Sequence, residues 1–198
     1  MSKLKFKGQT VYTKKCVDNI LDVYDNANGL SVGIDWYEKA SDYALKIAKA
    51  TDYKYGRVHA CAVLAALSPK KSWKENKRLA WNFIVNGVHT GHTKVNIEKA
   101  KACLDVIDDT KVLEILNGEK TKAFYLNMLY PHRNTGVTID RHAVEIALGK
   151  VIPDHSMTVR QYQFFERCYI MAANKIDLLP HQLQAVTWEY WREYKKTI

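Results

Sequence analysis

The chain is short of the residues that build metal centres and covalent frameworks. Its four cysteines, Cys16, Cys61, Cys103 and Cys168, are far apart. None stands in a C-x-x-C pair or at ligand spacing from a histidine. That spacing argues against a zinc site, an iron–sulfur cluster and a disulfide framework, and reduced thiols in a cytosolic (cytoplasmic) protein are expected. There is no low-complexity tract, no internal repeat and no evident interdomain linker. The basic start, Met-Ser-Lys-Leu-Lys-Phe-Lys-Gly, leads into no apolar stretch, and no run reaches membrane-spanning length. Neither a signal peptide nor a membrane partner is therefore expected. No segment alternates apolar and polar residues long enough to predict a strand. Acids are also scarce: 21 Asp and Glu stand against 30 Lys and Arg, for a net charge of +9. Such an excess points to a polyanionic partner, nucleic acid before an acidic membrane surface.

What remains is helix. At 198 residues and 47% hydrophobic, the chain suits a single helical domain over 1–198, with two lobes around a cleft. Amphipathic spacing predicts helices over Val17–Ala27 and from Asp35 to about Ala50, where Asp35 and Glu38 fit a capping pattern. Val58–Leu67 is almost wholly apolar and should be buried on every side. Ser72-Trp-Lys-Glu75 is a capping box for a helix to about Val85, and Gly87–Lys94 is a polar loop. Further helices are predicted over Ile97–Val106, Val112–Leu116 and Lys120–Asn127, and from near Asp140. Thr158 caps another to about Lys175, and Pro180 opens the last.

One stretch carries candidate chemistry. Leu116-Asn-Gly118 reads as a tight turn between two helices, with Gly118 free to take a positive φ. The helix that follows would offer unpaired N–H groups to a phosphate, with Lys120 or Lys122 in its first turn. These lysines stand 20 and 18 residues before Asp140, which ends the apolar run Val137-Thr-Ile139. An aspartate at a helix N-terminus can cap that helix and still face a sugar cation or a water. His89 and His92 share a loop without a third ligand, so no metal and no cofactor is expected.

These residues resemble the helix-hairpin-helix superfamily of base-excision DNA glycosylases, of the endonuclease III and archaeal 8-oxoguanine glycosylase type. That family carries an L-P-G-x-G hairpin, a lysine opening the next helix, and a catalytic aspartate in V-D-T-H or I-D-R-H. Here the hairpin-like motif spans 111–130, and Ile139-Asp-Arg-His142 matches the I-D-R-H form. Upstream, Leu64-Ala-Ala-Leu-Ser68-Pro-Lys with Asn76 resembles the family's L-L-S-A-Q helix end and its following Asn. The likeness runs from about Val58 to Arg192, and some phage-encoded proteins of unknown role look similar in the same places.

The resemblance implies an all-α, two-lobed glycosylase-like fold and a monomer that acts on double-stranded DNA by base flipping in base excision and DNA repair. Asp140 would stabilise charge at C1′. Lys120 or Lys122 would be the nucleophile of a Schiff-base AP lyase, if burial or nearby cations depress its pKa. Gly118, Lys71, Arg141, His142 and Asn76 would contact DNA, and Lys70 would fill the gap left by the flipped base. Trp36, Trp73, Phe124 and Tyr125 are candidates for stacking on the base, although helical spacing favours the core for each. The second hairpin glycine is missing. The family's usual lysine-to-aspartate spacing of 18 selects Lys122, whereas the local phase selects Lys120. Other readings are an enzyme of the same fold acting on hypermodified pyrimidines, a non-catalytic DNA-binding module and a helical adaptor.

Overall fold

The computed structural model describes residues 2–27 and 33–197. The described chain is predominantly helical. Ten helices run in order: α1 Thr13–Asn26, α2 Trp36–Ala50, α3 Arg57–Ala66, α4 Trp73–Ile84, α5 Lys94–Leu104, α6 Asp109–Leu116, α7 Glu119–Leu129, α8 Arg141–Leu148, α9 Val159–Ala173 and α10 Pro180–Tyr194. They are preceded by β1 Lys3–Phe6 and β2 Gln9–Tyr12, an antiparallel pair in which Lys3 faces Tyr12 and Lys5 faces Thr10.

That hairpin was not expected. Its strands have four residues each, below the length at which alternation stands out. Within β1, Leu4 and Phe6 are buried while Lys3 and Lys5 point outward. Phe6 meets Phe165 edge to face at 5.3 Å. The hairpin is thus held by its apolar face on a helix, as so short a ribbon requires.

The chain divides into two compact units, one of residues up to Tyr37 with those from His132 onward, the other Glu38–Pro131. In unit 1, α1 packs against α8, α9 and α10. Its core gathers Val17, Ile20, Val144, Ile146, Phe165, Tyr169 and Leu183 around Cys16 and Cys168. Gly33 permits a close approach here: at φ +120° a Cβ would lie 2.8 Å from the Val186 Cα, in α10.

In unit 2, α3 is the central element. Every residue from Ala60 to Leu67 is buried, and α4, α5, α6 and α7 pack around it. A helix buried on all sides must be apolar all round, which is what Ala-Cys-Ala-Val-Leu-Ala-Ala provides. Ser72 caps α4 by accepting the Glu75 N–H at 3.2 Å. Thr158 and Gln161 form a reciprocal capping box at α9. All four cysteines are buried free thiols.

Candidate functional site

In unit 1 the site is built on the start of α8. The extended segment before it is pinned by Tyr162, whose hydroxyl accepts the Ile139 N–H at 3.1 Å and donates to the Val137 carbonyl at 2.6 Å. Val137, Thr138 and Ile139 are buried, so Asp140 emerges at a fixed place, half-buried, as the N-cap. One carboxylate oxygen accepts the Ala143 N–H at 2.9 Å. The other accepts the indole N–H of Trp188, from α10, at 3.0 Å. A carboxylate offers about four acceptor positions, and among the described residues only these two donors occupy them, which leaves two for a ligand or a water.

Trp188 is itself held. The Arg192 guanidinium lies 4.4 Å from its ring centre, one helical turn along α10. Rings of His142 and Trp36 approach it edge-on at 6.1 and 6.3 Å. The Trp36 ring in turn meets that of Tyr37 at 4.9 Å, and the Tyr37 hydroxyl donates to Gln184 at 3.0 Å. Burial pushes the Tyr37 phenol well above its ordinary value; a hydrogen bond with Thr138 offsets part of this, and the charge of Asp140 adds to the rise. Asp140 therefore sits among neutral phenol and indole groups, with Arg192 across the indole.

A second acid supports the same helix. Glu145 is fully buried, yet it receives Lys195 Nζ at 2.8 Å, Trp191 Nε1 at 3.0 Å, His142 Nδ1 at 3.2 Å and the Ile152 N–H. Arg141 Nε stands 3.7 Å away. Burial alone would raise its carboxyl, but the bonds from Lys195, Trp191, His142 and Ile152 together outweigh burial and hold it below the ordinary glutamate value. Arg141 is exposed, and His142 is tied by Nδ1 to this buried acid.

In unit 2, α6 and α7 are joined by Asn117 and Gly118 alone. The left-handed residue is Asn117, at φ 48°, while Gly118 is extended at φ −96° and N-caps α7. The expectation of a positive φ at Gly118 is thus corrected by one position. Asparagine tolerates the left-handed region because its short amide can bond locally, and here Lys99 Nζ reaches Asn117 Oδ1 at 2.7 Å and the Leu116 carbonyl at 3.2 Å. Among the described residues no side chain caps α7. Lys120 is exposed; Lys122 is half-buried and stands 3.7 Å from Glu119. Neither side chain is buried.

The Ser68–Lys71 turn brings Lys70, at φ 58°, and Lys71 to the wall of an open concavity of about 700 Å³ that His92, Thr93 and Asn96 also line. His92 serves structure there: its Nδ1 accepts the Thr93 N–H at 2.7 Å and its Nε2 meets the Pro69 carbonyl at 3.0 Å. Asn76 is buried and ties α4 to α3 through the Leu64 carbonyl at 3.1 Å, so its amide lies off the surface. Tyr125 and Phe124 are core residues. Trp73 is half-buried, edge-on to Tyr43 and Phe124, with Lys77 Nζ 5.6 Å from its ring centre.

A model for a family of unknown function, DUF7178, matches residues 2–195. The chain belongs to that family. No curated protein and no solved structure matches it. For this DUF7178 member, chemistry must therefore be argued from the residues themselves.

Sequence reasoning does not single out several residues of the unit 1 site, Tyr37, Tyr162, Trp191 and Lys195 among them, and two others, Glu145 and Trp188, show why. Glu145 was visible as one acid inside Ala143-Val-Glu-Ile-Ala147, a place where a charge must be buried and paired. Trp188 carried no such signal. Its role depends on an indole N–H meeting an acid 48 positions earlier.

Proposed function

We propose that this protein is a DNA N-glycosylase that uses water, with Asp140 as its catalytic residue and the α6–α7 turn as a helix-hairpin-helix element that grips a backbone phosphate. The observation that supports it is the carboxylate of Asp140: fixed at a helix N-cap by Ala143 and Trp188, yet half-exposed with acceptor positions to spare. The I-D-R-H resemblance and the net charge of +9 agree with that reading.

In the proposed reaction the bond from C1′ to the base nitrogen breaks, and its electrons leave with the base. The Asp140 carboxylate faces the cation that develops at C1′. A water adds its oxygen to C1′ and gives one proton to the carboxylate, while a proton from solvent completes the departing base. Lys120 and Lys122, exposed and half-buried respectively, fit salt-sensitive phosphate contacts better than a Schiff base. Modified pyrimidines are within the same chemistry, since only the leaving base differs.

The test uses labelled duplexes carrying normal, deaminated, oxidised and hydroxymethylated bases. Alkali-sensitive abasic sites should form on at least one, and Asp140→Asn should lower their rate by about 100-fold or more. Trp188→Phe keeps a ring beneath Arg192 but removes the donor to Asp140, and should cost a smaller factor. A borohydride-trapped adduct lost in Lys120→Ala or Lys122→Ala would replace the water mechanism with a lyase. Binding without base loss on any duplex would leave a DNA-binding module and overturn the proposal.

A further inference from the structure

The N-terminal hairpin carries a feature that the Asp140 reading does not use. The first seventeen residues contain five lysines and no acid. Strand alternation turns Leu4 and Phe6 into the core and leaves Lys3 and Lys5 on the outer face, about 7 Å apart along the strand. Across β2 their partners on that face are Tyr12 and Thr10. Opposite lies the start of α9, which has no acid in its first turn and presents Arg160.

Together these groups line a groove of about 440 Å³. Lys3, Lys5 and Arg160 are all exposed, and among the described residues none of the three has a carboxylate at ion-pair distance. Tyr12 stands beside them half exposed, at 50%. Like charges gathered without a counter-charge repel one another, and an anionic occupant relieves that repulsion.

We propose that this groove is a docking site for a single nucleic-acid strand, with Lys3, Lys5 and Arg160 on its phosphates and Tyr12 stacked on a base. A cationic groove with an aromatic ring at its wall is the arrangement that holds unpaired strands. A bilayer surface is a poorer match, because the hairpin's apolar residues face the core and leave no apolar face to insert. The site is independent of Asp140, so loss of base excision would not touch it.

The experiment is fluorescence anisotropy on the full chain with labelled oligothymidylate, a labelled duplex of equal length and anionic phosphatidylserine vesicles, across a salt series. The triple variant Lys3→Gln, Lys5→Gln, Arg160→Gln should bind oligothymidylate at least about tenfold more weakly. The slope of log affinity on log salt should shrink by about 2, from three phosphate contacts at roughly 0.7 each. Tyr12→Ala should cost at least about fivefold with the slope unchanged. Circular dichroism checks that each variant folds, and Lys3→Arg with Lys5→Arg should bind as the parent does. Unchanged affinity and slope in the folded triple variant would overturn the proposal. So would a loss confined to the duplex, or vesicle binding without affinity for the strand.

Discussion

In unit 1 a fully buried carboxylate, Glu145, is held by a lysine, an indole, an imidazole and a backbone N–H; in unit 2 a half-buried one, Asp109, is held by two phenols. Tyr125 donates to one oxygen of Asp109 at 2.6 Å and Tyr130 to the other. The first arrangement offsets a large desolvation cost with charge, the second offsets a smaller one with neutral donors. Charge-assisted bonds are the stronger kind, but they leave a stranded ion when one partner goes. The two units should therefore answer the same kind of substitution with different severity. Because they need not unfold together, hydrogen exchange read separately on α8 and α10, and on α6 and α7, is the fitting measurement.

The largest expected effect is at Glu145. Glu145→Gln keeps the shape but strands Lys195, whose side chain is 20% exposed. Unit 1 should lose about 3 kcal/mol, the low end for breaking a buried pair, because Lys195 can still reach water. Protection of α8 and α10 should drop while α6 and α7 keep theirs. Equal loss in both units would mean that they unfold as one and would erase the contrast.

Acid should reveal the same group. The folded carboxyl of Glu145 lies below its ordinary value of 4.5. Its stabilisation is therefore present above the ordinary value and is lost as pH falls through the folded one. Unit 1 should weaken as the pH drops below about 4.5, and Glu145→Gln should flatten that limb. An acid limb unchanged in the variant would assign it to other carboxylates.

How much of this was legible beforehand differs between the two units as well. In unit 2 the apolar run over α3, the Ser72 cap and the helix–turn–helix at 116–118 are local signals, and local signals survive in sequence. The left-handed residue fell one place away, because the sequence showed a glycine and gave no sign that Lys99 would bond Asn117. In unit 1 Asp140 was visible as a cap, but Trp188 and Lys195 reach α8 from 48 and 50 residues away. Such long-range pairs leave no periodic trace. The hairpin was missed for the opposite reason: its pattern is present, but four residues per strand are too few to register.

Tyr125→Phe should have a middling effect. It removes the bond to Asp109 but leaves that acid with Tyr130, so unit 2 should lose about 1.5 kcal/mol, the lower figure for a bond to a charged group. Burial first, then the bond to and charge of Asp109, push the Tyr125 phenol above its ordinary 10.0. Its contribution is present below pH 10 and is lost as pH rises toward the folded value. The variant should therefore make α6 and α7 less sensitive to alkali than the parent. An equal alkaline response in both proteins would place that sensitivity on another phenol, with Tyr43 the next candidate.

The smallest effects test the turn. Asn117→Ala places a residue with no local amide in the left-handed region and removes the Lys99 contact, at a cost of about 1 kcal/mol. Asn117→Gly relieves the φ and loses the same exposed contact, so the two terms nearly cancel. Gly118→Ala puts a Cβ 3.2 Å from Thr121 Oγ1 at an ordinary φ, and a shift of a few tenths of an ångström in that hydroxyl accommodates it. If Gly118→Ala proved costlier than Asn117→Ala in exchange of the α7 amides, the left-handed position would belong to Gly118 after all. The phosphate-gripping geometry proposed for this turn would then need to be rebuilt around that residue.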